Sequence, residues 1–426
     1  MYLRGSKFNL NRRRRTSNPL VILLLIGLIG AVTYVNLVVV PATPPLFIPT
    51  RTPTRAPETY IKDAEELVAQ GKFTQAISAY KQAIQSDAKN PVNFINIARL
   101  QVFTGSYQDA IDNTQNALLL SSNNSMAYAI RGWAQSFKGD YLEAEGSLKK
   151  AMELDPKNGI AYAYYAESLA LQYQAGKDVL GLVQKASDAS RTAQQLAPNT
   201  LETHRARGIV LSITQNNEEA AREFEAAIVL NPNIADLHLN LGVCYRALQQ
   251  YSKAIEEFNR ANALNPSDPL ANTYISRTYL TVGDFAKAIQ YAQAAIKINP
   301  KDPFLYGNLG TMYYRNKQYT ESIAPFRLAV RGGATSDGVE VKGLPLDYGR
   351  IAEYYYFYGL AAARLNQCSE AVSLSQLIQQ GVPNDETAVY NAKEMINICQ
   401  QNINGTSTPT RGVTPAAGTP VPTKKP

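Results

Sequence analysis

The sequence predicts an all-α solenoid of about nine helix-turn-helix units with a capping helix, preceded by one transmembrane helix. Three observations lead there. A short helix-ending motif returns every 34 residues, small residues recur at fixed offsets from it, and one uncharged stretch of 21 residues lies near the N-terminus.

That stretch, residues 20–40 (LVILLLIGLIGAVTYVNLVVV), has Asn36 as its one strongly polar residue and ends at Pro41. As a helix it covers roughly 30 Å, the thickness of a bilayer's hydrocarbon core. Residues 1–19 carry Arg4, Lys7 and the run Arg12 to Arg15, with no acid. Such a basic flank marks the cytoplasmic side, so the body is expected outside the cytoplasm of a cell membrane. The competing expectation is a secretory signal cleaved near Ala42, although signal cores are usually shorter. Residues 41–57 are Pro/Thr-rich and read as an extended linker. Residues 402–426 have the same composition and read as a disordered tail. Asn123-Asn124-Ser125 and Asn404-Gly405-Thr406 are formal glycosylation acceptors of low specificity.

A formal net charge of +7 over 426 residues raises nucleic acid as a partner, but its placement argues against that. All 35 acids fall in residues 58–401, with 31 of the 42 Lys and Arg, so the body is about −4 and only the tails are basic. An acidic body is a poor ligand for a phosphate backbone.

Within 58–401 the motifs Leu230-Asn231-Pro232, Leu264-Asn265-Pro266 and Ile298-Asn299-Pro300 are spaced by 34, with Leu154-Asp155-Pro156 and Leu196-Ala197-Pro198 before them. Ala64, Ala98, Gly132, Ala166, Gly208, Gly242, Ser276, Gly310 and Gly359 hold one position of successive units. Twelve residues on stand Ala76, Ala110, Ala144, Ala220, Ala254, Ala288, Ser322 and Ala371. Small residues at these offsets let the two helices of a unit cross closely, with Phe224, Phe258 and Phe326 filling space beside them. Gly71, Gly105, Gly139 and Gly283 stand where a first helix must end.

One unit, residues 235–268, reads ADLHLNLGVCYRALQQYSKAIEEFNRANALNPSD. It resembles the tetratricopeptide-repeat family, and the likeness runs from about Pro57 to Gln380 in nine units. Two departures stand out: about eight extra residues near Gln174–Gly181, and an insertion, 331–347, where the eighth unit ends in Gly332-Gly333 rather than Asn-Pro. The insertion reads as a solvated connector or a short projecting hairpin around Val339-Glu340-Val341. Residues 385–401 supply an apolar stripe of Ala388, Ala392, Met395, Ile396 and Cys399, suited to cap the last unit.

The resemblance implies a right-handed superhelix whose first helices line a concave groove for a protein or peptide. Unit positions 2, 5, 6, 9, 12 and 13 then face the ligand. Early units offer Asn96, Arg99, Phe103, Trp133 and Phe137; later ones offer Asn240, Arg246, Arg277, Asn308, Tyr314 and Arg315. Asn96, Asn240 and Asn308 share position 6, where some family members hold peptide backbone by side-chain amides. The later arginines suit an acidic peptide.

Of three cysteines, Cys244 reads as a core residue. Cys368 at a helix–helix turn and Cys399 at the end of the cap arrive at one end of the array, where an exported body permits a disulfide; two buried thiols are the alternative. His204 and His238 share one unit position, which argues for packing. No metal spacing, phosphate loop, GxSxG or HExxH occurs, so neither an enzyme nor a cofactor is expected. The functional expectation is a membrane-tethered scaffold, or an adaptor presenting substrates to an envelope enzyme, protease or assembly machine whose catalysis lies in another chain.

Overall fold

The computed structural model describes residues 18–39, 55–176 and 181–403. The Arg12–Arg15 cluster, most of the Pro/Thr linker, residues 177–180 of the fourth unit, and the tail from 404 with its Asn404 triplet lie outside them. Two units form, residues 1–55 and 56–426.

In the first, helix α1 runs from Pro19 to Tyr34 and continues as a π-helical turn over Val35–Val39. Asn18 starts it, its side chain accepting from Leu20 N–H at 3.2 Å, and Pro19 occupies the first turn, where no backbone donor is missed. Pro19–Val38 has a mean hydropathy of 2.5 and no buried residue. Its length and hydropathy are those of a membrane span or a signal sequence.

The second unit is a stack of helical hairpins. Its helices are α2 (Pro57–Ala69), α3 (Phe73–Ser86), α4 (Pro91–Phe103), α5 (Tyr107–Leu120), α6 (Ser125–Lys138) and α7 (Tyr141–Leu154). There follow α8 (Gly159–Gln174), α9 (Leu182–Leu196), α10 (Leu201–Ile213), α11 (Asn217–Leu230), α12 (Ala235–Ala247) and α13 (Tyr251–Leu264). The series closes with α14 (Pro269–Val282), α15 (Phe285–Ile298), α16 (Pro303–Arg315), α17 (Tyr319–Val330), α18 (Arg350–Arg364), α19 (Cys368–Gly381) and the cap α20 (Glu386–Ile403). These are the nine units and the cap that the sequence predicts.

Local chemistry sets the boundaries. Asn90, Asp268 and Asp302 each accept a hydrogen bond from the backbone N–H two residues on, at 2.9–3.0 Å, ahead of a proline in the first turn. The turn between a unit's helices needs one left-handed residue. Glycine supplies it at Gly71, Gly105, Gly139 and Gly283, whereas Gln215, Gln249, Lys317 and Asn366 adopt it at φ of 59–62° despite carrying a Cβ.

The predicted crossing point is observed. A Cβ added at Gly242 would lie 2.6 Å from the ring of Phe258, itself fully buried. Gly208 and Gly310 face Phe224 and Phe326 in the same way. From the second unit on, each first helix also packs on the next, and the approach is closest among α6, α8 and α10. Helix α8 is alanine-rich there, with Ala161, Ala163, Ala166 and Ala170 wholly buried, so its neighbours draw together and the array bends tightly at its fourth unit.

That bend returns the chain to its own start. Asn233, in the loop between the fifth and sixth units, donates from Nδ2 to the Ala69 carbonyl at 2.8 Å. The insertion is not a free connector: it forms the short hairpin that the sequence allows, with its second strand packed on the array. Strands β1 (Gly333–Ala334) and β2 (Glu340–Val341) pair antiparallel, and Val341 is buried against Tyr306 and Ala329. Leu344 N–H donates to the Ala329 carbonyl, and the Tyr355 hydroxyl to the Leu344 carbonyl at 2.7 Å. The cap buries Ala388, Ala392, Met395 and Cys399, with Ile398 rather than Ile396 alongside. Cys368 and Cys399 are joined by a disulfide, Cα atoms 5.6 Å apart, and Cys244 is free and buried.

Candidate functional site

The tight bend divides the inner face into two regions of opposite character. The first is a cavity of about 750 Å³ between the turns of units one to three and the loops that open units six and seven. Phe103, Trp133 and Phe137 meet there: Phe103 and Trp133 at 5.3 Å, Trp133 and Phe137 at 5.9 Å between ring centres. Phe73 stacks on Phe103, Tyr107 on Phe137, and Tyr164 on Trp133 at 4.4 Å. Trp133 is only 1% exposed, so it acts as a floor beneath the other rings rather than as an open contact surface.

A buried ion network underlies this floor. The Arg205 guanidinium lies over the Trp133 ring at 5.2 Å. It donates to Glu167 Oε2 at 2.7 Å and twice to Asp236 Oδ2, at 2.8 and 3.0 Å. Burial raises the Glu167 carboxyl above its ordinary range, and the Arg205 charge opposes that. Arg99 pairs with Glu202 at 3.6 Å, and Asn96 sits beside the Tyr80 hydroxyl. Both candidates are therefore engaged within the array.

The second region belongs to units six to nine. A cavity of about 570 Å³ is lined by Arg277, Asn308, Arg315, Arg350 and Glu353, with Phe285 and Met312. Burial lowers the proton affinity of Arg246 and Arg277, and Arg350 lowers both further, which places three cationic groups within electrostatic reach. Among the described residues neither Arg246 nor Arg277 has a carboxylate at ion-pair distance; Arg350 has Glu353 at 3.9 Å. Arg246 lies over Tyr274 and Arg315 over Phe357, at 5.2 and 4.8 Å. Tyr314 stacks on Phe357 and accepts from Arg364 at 3.0 Å.

The position-6 amides face inward. Asn308 is 2% exposed, accepts from Arg277 Nε and donates to Ser276 Oγ, each at 3.1 Å. Asn240 donates to the Asp236 carbonyl and to its Oδ1. Asn308 thus orients Arg277 instead of offering a rung to a peptide. His204 and His238 bond Glu223 and Glu257 at 2.7 and 2.6 Å, which fixes one helix of a unit to the other.

Sequence reasoning passed over Arg205, Asp236 and Glu167, although they hold positions 5, 2 and 9 of their units. Scanning those positions for opposite charges would have found them. Arg350 opens α18, ahead of the repeat's first regular position and directly behind the insertion, so no positional signal marked it.

Residues 127–158, 206–269 and 275–337 match tetratricopeptide-repeat family models. Those spans are tetratricopeptide repeats, and hairpins of the same build stand on both sides of them. Among solved structures it is similar to a tetratricopeptide repeat protein from Parabacteroides merdae, at 18% identity and a TM-score of 0.43, over 66% of this chain and 99% of that one. It is also similar to Pseudomonas aeruginosa pilF, at 15% identity and a TM-score of 0.43, over 56% of this chain and 99% of that one. No curated protein matches the chain significantly. Repeats of this family generally mediate protein–protein interaction and are typically non-catalytic.

Proposed function

We propose that the chain is a membrane-tethered scaffold that holds an acidic segment of a partner protein against units six to nine, on the outer side of a cell membrane. Arg246 and Arg277 carry this reading: two half-buried cations without carboxylate partners among the described residues, with Arg277 lining the cavity. Like charges held together and partly desolvated disfavour one another, so a bound carboxylate relieves the site. Asn308 holds Arg277 in place before any ligand arrives, which lowers the entropic cost of binding. Helix α1 supports the tether through its length and apolar surface, and an intact membrane protein resists alkaline carbonate extraction.

The test is binding of a fluorescent Asp/Glu-rich peptide to the full chain in detergent. The Arg246→Glu and Arg277→Glu pair weakens it by more than tenfold; unchanged affinity refutes the assignment. Mature protein beginning near Ala42 overturns the tether. Capture from solubilised membranes with a transferase or hydrolase as main partner favours the substrate-presenting adaptor.

A further inference from the structure

The first cavity has two unlike walls. One is aromatic, built from Phe73, Phe103, Tyr107 and Phe137 at the turns of units one to three. The other carries Asp236 and Asp268, where helices α12 and α14 begin. The walls face each other: Asp236 and Asp268 both add to burial in holding the Tyr107 proton. The one guanidinium present, Arg205, is spent on Glu167 and Asp236. Among the described residues that line the cavity, Arg205 stands against Asp236 and Asp268, and Asp268 has no ion-pair partner. Burial raises the Asp268 carboxyl above its ordinary range; the Leu270 N–H bond opposes that, and Asp236 adds to it.

We propose that this cavity receives a cationic side chain, lysine or arginine, from a partner polypeptide. Aromatic faces and carboxylates together select a positive charge, since ring quadrupoles and carboxylates both attract cations. The Trp133 ring already holds one guanidinium in this way. A volume of about 750 Å³ exceeds one lysine side chain and leaves room for the backbone that presents it. The site is separate from the arginine cluster and selects the opposite charge, so either can fail without the other.

Trp133 is the chain's single tryptophan and lines this cavity, so its fluorescence reports occupancy. The full chain in detergent is titrated with a blocked tetrapeptide bearing two central lysines, with its glutamate counterpart, and with spermidine. The lysine peptide gives a saturable change and the glutamate peptide none. Asp268→Asn weakens the lysine peptide about tenfold, while asparagine keeps the helix cap, so the variant folds. The Arg246→Glu and Arg277→Glu pair leaves it unchanged. A lysine peptide without saturable response, equal binding by Asp268→Asn, loss in the arginine variant, or spermidine binding as tightly as the peptide each overturns the proposal.

Discussion

The Asn233 side-chain amide donates to the Ala69 carbonyl at 2.8 Å, joining residues 164 positions apart. Gly71 lies under the same asparagine: a Cβ there, at φ +72°, would stand 2.5 Å from Asn233 Cβ. The first unit is thus held from across the bend.

Asn233→Ala is expected to lower the stability of the first unit by about 1 kcal/mol, the usual net value of one hydrogen bond. Gly71→Ala adds backbone strain to the lost contact and has the larger effect. Hydrogen exchange reads both: amides of 57–86 exchange faster, while those of 303–380 are unchanged. Equal exchange across 57–86 in variant and wild type would show the contact to be inert.

Arg205 is the most heavily committed cation in the array. Removing one partner of a buried ion network strands the other charges, at a cost of about 3–5 kcal/mol. Arg205→Met should reach that range in urea unfolding. Adding Glu167→Gln recovers part of it, because the stranded carboxylate is then gone. A single variant as stable as wild type refutes the structural role of the network.

The cap depends on one covalent bond. A disulfide across 31 residues contributes about 3–4 kcal/mol in the chain-entropy model. Denatured but unreduced protein then shows one free thiol, and reduced protein three. In the native state Cys244 stays unlabelled at pH 8, because burial pushes its thiol up to about 11. Three thiols before reduction would remove the bridge.

Gln249 adopts φ +59° at a turn where other units place glycine. Gln249→Gly relieves a left-handed strain of about 1–2 kcal/mol and loses part of it to unfolded-chain entropy. A net gain of about 0.5–1 kcal/mol is expected by thermal unfolding. A loss would mean that the Gln249 side chain contributes more than its backbone costs.

The repeat period made the hairpins legible, because Pro232, Pro266 and Pro300 mark successive helix ends and Gly242 marks a crossing that only a small residue permits. Curvature was harder to read. It follows from how closely α6, α8 and α10 approach, a sum over Ala161, Ala163, Ala166 and Ala170 that no single motif announces. Without the bend there was no reason to place Asn233 beside Ala69, or Asp236 across from Tyr107. Trp133 was legible as an inner-face residue but not as a buried one, since its cover comes from Arg205, two units away. The inward turn of Asn308 depended likewise on a neighbour, Arg277.

The Cys368–Cys399 bridge also has a mechanical meaning. A pull on the chain beyond Ile403 reaches Cys399 and passes through sulfur to Cys368 at the start of α19. The intervening helices are bypassed and carry little of the load. Force therefore enters the array at the turn of the ninth unit, and the cap is not peeled away one turn at a time.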